Sequence, residues 1–223
     1  MGIDEVRANY NGAGIDIIEL MYGADYLSFG GAESTEILAN KAGIDERHRV
    51  LDIGCGLGGP AFHLAETRGC QVVGVDLVEL NIEQASARAG ELGLGDLLTF
   101  EAADARDLPF GDGSFDVVWG QDAWCHVPDK DRLIGECARL LVPGGTIAFS
   151  DWLQTGDMSA AMAAEVFDAS AIDQPEDIDG YRALLTDHGF VDVMTEDISA
   201  AFLRSYREVM DRLAGLETEL SER

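Results

Sequence analysis

The chain has 223 residues, 47% of them hydrophobic, and its 42 acidic against 15 basic residues give a formal net charge of −27. This length predicts one domain with a substantial buried core, and the charge excludes the basic surface that nucleic-acid binding needs. No apolar run approaches the roughly 18 residues of a membrane-spanning helix, so we expect no membrane partner.

The first predicted element is a helical segment over residues 1–42, which we interpret as a cap on the domain. It begins without the basic start and apolar stretch of a signal peptide, so we expect a cytoplasmic protein. The four cysteines show neither C-x-x-C spacing nor a neighbouring histidine cluster. This pattern predicts reduced thiols and no metal site.

Short apolar runs then alternate with helical segments. The predicted strands are Val50–Ile53, Gln71–Val75, Leu98–Phe100, Phe115–Trp119 and Thr146–Ser150. The predicted helices between them are Pro60–Arg68, Val78–Leu92 and Asp131–Leu141, each followed by Gly or Pro. Such alternation predicts an α/β fold with a doubly wound, mainly parallel sheet, whose core covers residues 43–151. Ligands of such sheets bind at the carboxyl ends of the strands.

Two segments follow this core. Residues 152–177 carry an apolar stripe at helical spacing, which we interpret as a candidate lid over the strand ends. Residues 178–223 are expected to complete the domain as helix, strand and helix, with the sixth strand at Val191–Ile198 and a last helix at Phe202–Leu220. No apolar run follows for a final strand, so we expect either a truncated chain or an edge covered in another way.

A glycine-rich turn, Gly54-Cys55-Gly56-Leu57-Gly58-Gly59, directly follows the first strand and precedes a helix. It satisfies the G-x-G-x-x-G pattern, and Asp76 follows at the spacing of a ribose-binding acid. Glycines let the backbone approach a ligand closely, and the helix N-terminus offers free N–H groups. The turn alone is compatible with a dinucleotide or with S-adenosylmethionine.

Two carboxylates favour S-adenosylmethionine. Asp52 precedes the turn by two residues, where it is unfavourable beside a pyrophosphate but suits a cationic amino-acid group. Asp104 ends the third strand, where it can accept a hydrogen bond from an adenine amino group. Three further blocks follow in order: Asp107-Leu108-Pro109-Phe110, Gly113-Ser114-Phe115-Asp116 and Val142-Pro143-Gly144-Gly145.

From Val50 to Ser150 the chain resembles the class I S-adenosylmethionine-dependent methyltransferases. The resemblance implies S-adenosylmethionine as cofactor and assigns its site residue by residue. Asp52, Gly54 and Gly56 match the first motif, Asp76 the ribose acid, Leu77 an adenine neighbour, Asp104 and Ala105 the adenine end, and Gln121 the methionine end. Tyr26 is a candidate to close over the cofactor.

The segment Gln121-Asp122-Ala123-Trp124-Cys125-His126 lies where acceptor and cofactor meet in this family. An imidazole has a reference pKa near 6.5, so His126 is the expected catalytic base. Asp151, after the fifth strand, could orient or charge-balance it, or bind a substrate amine. Trp124 and Tyr22 are assigned to the substrate pocket.

The same segment resembles the small-molecule branch of the family, including sarcosine/dimethylglycine N-methyltransferases and natural-product sugar O-methyltransferases. We therefore expect a small-molecule acceptor, a small amine or amino acid rather than a macromolecule, and a monomer or homodimer. O- or C-methylation of a natural product or sugar, and a non-catalytic adenosylmethionine-binding module, remain alternatives.

The acid-rich, lysine-poor composition is also typical of proteins from salt-adapted organisms, although a GC-rich genome and an ordinary acidic surface would give the same pattern. Like charges repel at low ionic strength and are screened by salt. We expect the thermal midpoint to rise from low salt to molar KCl. A flat response in a thermal melt series would contradict salt adaptation.

Overall fold

The computed structural model describes residues 13–154, 156, 159, 161, 167, 172, 175–207, 209 and 210. Most of the candidate lid over residues 152–177, and the second half of the predicted helix Phe202–Leu220, lie outside the described residues.

The sheet has five parallel strands in the order β3-β2-β1-β4-β5. The strands are β1 (Arg49–Ile53), β2 (Gln71–Asp76), β3 (Leu98–Ala102), β4 (Phe115–Gln121) and β5 (Leu141–Ser150). The predicted doubly wound α/β fold is confirmed. The strand order reverses between β1 and β4, and a ligand crevice opens at such a reversal in α/β sheets.

Among the described residues, six helices with defined ends surround this sheet. They are α1 (Ala13–Tyr22), α2 (Gly31–Ala42), α3 (Gly59–Arg68), α4 (Glu79–Leu92), α5 (Lys130–Leu140) and α6 (Ile178–Asp187). A short 3₁₀ turn, Trp124–His126, follows β4, and residues 199–207 are also helical. The glycines predicted to stop α3 and α4 do so, because the N–H of Gly69 and of Gly93 closes onto the last turn.

The core has two halves, one on each face of the sheet. Val50 and Val72 face α2, α3 and α4, whereas Leu51 and Val73 face α5 and α6. Successive side chains of a strand point to opposite faces, so strands buried on both faces read as continuous apolar runs. This is why periodicity along the sequence located all five strands.

The predicted sixth strand, Val191–Ile198, is wrong: residues 191–198 form no strand. The side chains of Val191 and Met194 are 82% and 87% exposed. A strand needs a hydrogen-bonding neighbour, and β5 has none on its outer side among the described residues. This segment is held by side chains instead, since Arg182 Nη2 donates to Thr195 Oγ1 at 2.5 Å and Lys41 pairs with Glu196.

In the described part of the chain, no helix combines the length and the apolar character needed to cross a membrane.

Candidate cofactor and active site

A cavity opens at the carboxyl ends of β1, β2 and β4, at the point where the strand order reverses. Most of the residues predicted from the sequence meet in its wall. They are Asp52, Gly54, Gly56, Asp76, Leu77, Asp104, Ala105, Gln121, Trp124 and His126. Residues from four segments that are far apart in the sequence are thus brought to one place.

The glycine turn forms the floor of the cavity and is tied to β2. Gly54 has φ 80°, and a Cβ there would lie 2.4 Å from the Ala123 Cβ. Glycine is therefore required by both the backbone conformation and the close approach of the loop after β4. The Asp76 carboxylate accepts hydrogen bonds from Gly56 N at 2.9 Å and Val78 N at 2.8 Å. Asp76 thus organises the turn as well as facing the cavity.

Several buried polar atoms in the wall have no hydrogen-bond partner among the described residues. They include both carboxylate oxygens of Asp52, Nε2 of Gln121, Oγ of Ser28 and Oδ1 of Asn81. Buried polar groups without partners cost free energy, so such a cluster points to a polar ligand. Gln121 is oriented by Thr35, whose hydroxyl donates to its Oε1 at 2.8 Å, which leaves the amide N–H groups for the ligand.

These orphan groups fit the amino-acid part of S-adenosylmethionine. A carboxylate suits an ammonium group, and an amide N–H suits a carboxylate, so Asp52 and Gln121 match the two charged groups of a methionine moiety. Burial and the nearby Asp76 raise the pKa of Asp52 to about 8. In the ligand-free protein this carboxyl is therefore largely protonated at pH 7.

This pKa predicts that ligand binding releases a proton. An ammonium beside Asp52 favours the ionised carboxylate, so affinity for S-adenosylmethionine should rise up to about 25-fold between pH 6 and pH 7.5 as the ionised fraction grows. Calorimetry at pH 7 in two buffers of different ionisation enthalpy would measure the release, which Asp52→Asn should abolish. Proton-neutral binding would contradict the assignment.

The raised pKa of Asp52 also affects the free energy of unfolding of the ligand-free protein. The folded state keeps a proton that an unfolded aspartate, with a pKa near 3.9, has already lost. The ligand-free protein should therefore lose stability as pH rises from about 4 to 8 through this group.

The opposite end of the cavity holds the predicted adenine residues. Asp104 is bound in a bidentate ion pair with Arg106, with Nε–Oδ1 and Nη2–Oδ2 distances of 2.9 and 2.7 Å. The hydrogen bonds from Arg106 lower the pKa of Asp104, so it stays ionised and keeps acceptor lone pairs. Leu77 and Ala105 add apolar surface to this end of the wall.

The 3₁₀ turn after β4 places His126 at the cavity. The turn closes through His126 N to Ala123 O at 3.2 Å and Val127 N to Trp124 O at 2.9 Å. Trp124 is completely buried and anchors the turn to β1, since its Nε1 donates to Ile53 O at 3.1 Å. Trp124 is also one of the residues that line the cavity, so it combines a core role with a place in the wall.

Asp122 is a functional candidate that the sequence reasoning missed. It adopts φ 55° at the end of β4 and lines the cavity. Its Oδ2 accepts from Phe29 N at 2.8 Å and its Oδ1 from Ser150 Oγ at 2.6 Å. Burial raises its pKa. Non-glycine residues with positive φ cluster at functional sites, but this conformation is not readable from the sequence.

Asp151 lies behind the wall rather than in it. Its Oδ1 accepts from Cys125 N at 2.8 Å and its Oδ2 from the Tyr181 hydroxyl at 2.5 Å. Neither contact involves the imidazole of His126. The predicted catalytic role of Asp151 stays a prediction, and its contacts indicate that it acts through the backbone of the 3₁₀ turn.

The N-terminal segment reaches the cavity through different residues from those predicted. Leu27 and Ser28 line it, whereas Tyr26 packs beside them against Gly59. Tyr22 contacts the Phe29 ring edge-on at 5.6 Å. The roles predicted for Tyr26 and Tyr22 stay predictions, and no sequence signal distinguished Leu27 and Ser28 from their neighbours.

Asn81, in the first turn of α4, was also missed. It is 2% exposed and donates to Asp76, which helps to orient that carboxylate. A buried asparagine in a helix that begins just after the ribose acid is a signal that could have identified it.

Among the described residues, no three His, Cys, Asp or Glu side chains are grouped so as to hold a metal ion.

Comparison with known proteins adds independent findings. A family model described as a methyltransferase domain matches residues 51–149. The chain is 34% identical over 190 residues to 27-O-demethylrifamycin SV methyltransferase of Amycolatopsis mediterranei, covering 83% of this chain and 69% of the relative. It is 34% identical over 171 residues to sarcosine/dimethylglycine N-methyltransferase of Halorhodospira halochloris, covering 77% and 61%.

A solved structure agrees over almost the whole chain. Phosphoethanolamine N-methyltransferase 2 of Haemonchus contortus, in complex with phosphomonomethylethanolamine and S-adenosylhomocysteine, aligns with a TM-score of 0.88 at 27% identity, covering 97% of this chain and 51% of that one. The chain likewise spans only 42% of the length of phosphoethanolamine N-methyltransferase 1 of Arabidopsis thaliana, to which it is 34% identical.

Proposed function

Because the chain belongs to the class I S-adenosylmethionine-dependent methyltransferases, we propose that it transfers a methyl group from S-adenosylmethionine to the nitrogen of a small amine or amino acid. One observation carries the cofactor half of this proposal. Both oxygens of buried Asp52 and the amide nitrogen of Gln121 lack partners and face one cavity. They supply an acceptor for an ammonium group and a donor for a carboxylate.

The charge of the wall supports an amine as acceptor. Four carboxylates line the cavity: Asp52, Asp76, Asp104 and Asp122. Arg106, which also lines it, is already paired with Asp104. With Asp52 ionised by the bound cofactor, carboxylates outnumber cationic side chains in the wall, so a protonated amine is favoured over an anion. Asp122, which lines the cavity together with His126, is the carboxylate that we assign to the acceptor.

The distribution of cations argues against a phosphorylated acceptor. Phosphate recognition ordinarily uses Arg or Lys. Between Arg139 and Arg182 the sequence contains no Lys, Arg or His, and this stretch includes the candidate lid. Lys130 is buried and donates to the carbonyl oxygens of Cys125 and Val127. We therefore expect an unphosphorylated amine to be preferred, with any carboxylate on it held by neutral donors.

The residues of the wall can perform the remaining chemistry. When bound, S-adenosylmethionine supplies a methyl group on a sulfonium that leaves as a neutral thioether. The acceptor nitrogen must lose a proton to expose its lone pair, and we assign His126, which lines the cavity, to take that proton. Asp122 holds the acceptor, and the buried Trp124 helps to exclude water.

An acceptor screen tests this function. The intact chain is incubated with S-adenosylmethionine and glycine, sarcosine, dimethylglycine, ethanolamine, phosphoethanolamine, a sugar or a phenol, and release of S-adenosylhomocysteine is measured. Turnover of an unphosphorylated amine supports the proposal. Turnover of a hydroxyl acceptor alone contradicts it in favour of O-methylation. Tight S-adenosylmethionine binding in a thermal-shift assay without any turnover favours a non-catalytic binding module.

A further inference from the structure

A chain of contacts links helix α6 to the 3₁₀ turn that carries His126. The Tyr181 hydroxyl donates to Asp151 Oδ2 at 2.5 Å, and Asp151 Oδ1 accepts from Cys125 N at 2.8 Å. Cys125 directly precedes His126 in the turn. Tyr181 is 3% exposed and does not line the cavity, so it can influence the reaction only through its contacts with neighbouring residues.

A second, apolar route joins the same two elements. The Tyr181 ring packs on Phe149 with centroids 5.0 Å apart, and Phe149 stacks on Trp124 at 4.3 Å. The ring of Tyr181 is therefore held by packing independently of its hydroxyl. This separation matters for a test, because removing the hydroxyl leaves the packing route in place.

The far side of the turn is clamped by Lys130. Its Nζ donates to the carbonyl oxygens of Cys125 and Val127, on either side of His126. Asp151 therefore fixes the N–H of Cys125 while Lys130 fixes its carbonyl. With the neighbouring peptide groups held in this way, the backbone of His126 has little freedom to move.

We infer that Tyr181 and Asp151 are positioning residues that hold the turn Trp124–His126 and so set the place of the His126 imidazole at the cavity. This inference rests on the proposed function for its consequence in catalysis. It assigns helix α6 a part in the reaction although α6 supplies no residue to the cavity wall. It also gives Asp151 a role that does not require direct contact with substrate.

The charges around Asp151 make the link sensitive to pH. Burial raises the pKa of Asp151 to about 6, while the hydrogen bond from Tyr181, the N–H of Cys125 and the charge of Lys130 lower it and Asp122 raises it. Cys125 and Glu176 are the other ionisable groups facing Tyr181. Without the Tyr181 hydroxyl, the pKa of Asp151 moves upward, so the acid limb of activity should move to higher pH.

The first test is Tyr181→Phe, which removes the hydroxyl and keeps the ring. We expect kcat at pH 7 to fall about tenfold, as for loss of one hydrogen bond to a charged group, with the KM for S-adenosylmethionine within twofold of wild type and the acid limb shifted upward. Tyr206→Phe, at an exposed tyrosine in the helical stretch 199–207, is the matched control and should leave both kcat and the acid limb unchanged. An unchanged kcat and pH profile in Tyr181→Phe would overturn the inference.

A second comparison separates positioning from charge. Asp151→Asn keeps an oxygen for Cys125 N and an NH₂ that can donate to the Tyr181 oxygen. Positioning predicts that Asp151→Asn, like the protonated acid, keeps about a tenth of the wild-type kcat and loses the acid limb due to Asp151, whereas Asp151→Ala loses about a hundredfold. Equal losses in the two variants would show that the charge acts directly and would contradict the inference.

A readout without turnover completes the test. The chain has four histidines, so the NMR resonances of selectively labelled imidazoles can be assigned by replacing one histidine at a time. In Tyr181→Phe the His126 resonance should shift while the other three stay in place. An unmoved His126 resonance overturns the inference. A shifted resonance in a protein that methylates no acceptor would leave the positioning intact and reject the proposed function instead.

Discussion

Replacing Asp76 with alanine is expected to weaken S-adenosylmethionine binding by at least a hundredfold. A carboxylate offers two acceptors to the vicinal hydroxyls of a ribose, and hydrogen bonds to a charged group contribute about 1.5–3 kcal/mol each. Losing both removes about 3 kcal/mol or more, which is about a hundredfold in Kd. Isothermal calorimetry with S-adenosylmethionine and S-adenosylhomocysteine measures the change.

The contacts of Asp76 give a second reason to expect weaker S-adenosylmethionine binding in Asp76→Ala. Asp76 also accepts hydrogen bonds from Gly56 N and Val78 N, so alanine releases the glycine turn. Burial raises the pKa of Asp76, and removing a buried carboxyl offsets part of the lost bonding. We expect the ligand-free thermal midpoint to stay within about 5 °C of wild type. Asp107→Ala, at an exposed acid outside the cavity wall, should leave affinity unchanged. Near-normal affinity in Asp76→Ala would refute the ribose assignment.

Replacing His126 with alanine should lower kcat about a hundredfold at pH 7 while leaving the Kd for S-adenosylmethionine within about threefold. General base catalysis contributes about 10²–10⁴ in rate, and the orphan groups that fit the cofactor belong to other residues. Steady-state kinetics with the acceptor identified by the screen, together with calorimetry, separates the two effects.

The pH dependence of that variant distinguishes amine from hydroxyl acceptors. An amine is deprotonated by solvent at alkaline pH and then needs no base, so His126→Ala should recover towards wild type as pH rises. A hydroxyl acceptor would not show this recovery. His188→Ala is the matched control, because His188 pairs with Asp131 outside the cavity wall and should leave kcat unchanged. Collapse of cofactor affinity in His126→Ala would mean that this histidine is structural.

The cofactor half of the site could be predicted because its residues follow the ends of apolar strands. Asp52, Asp76 and Asp104 lie within two residues of the ends of β1, β2 and β3, and parallel strands bring their carboxyl ends to one edge of the sheet. Once the strands were located, the topology determined the meeting of these three side chains. The glycines of the turn belong to the same local signal.

The acceptor half depended on contacts between distant segments. Asp122 bonds to Phe29 and Ser150, and Asp151 bonds to Tyr181, across separations of 28 to 93 residues. Hydrophobic periodicity along the sequence does not predict hydrogen bonds between residues that far apart. The expectation that Tyr22 and Tyr26 reach the ligand also depended on how the N-terminal segment turns after α1, and the structure brings Leu27 and Ser28 to the wall instead.

Sequence alone determined the α/β fold, the five strands, the glycine turn and its acids. Each of these features follows from residue spacing within a short segment, because strands and turns require particular residue types at particular spacings. Only the tertiary structure decided that Val191–Ile198 forms no strand, since strand formation requires a neighbour that no local pattern guarantees. It also decided that Asp151 bonds to Cys125 N and lies outside the cavity wall, because burial and hydrogen-bond partners belong to the packed chain.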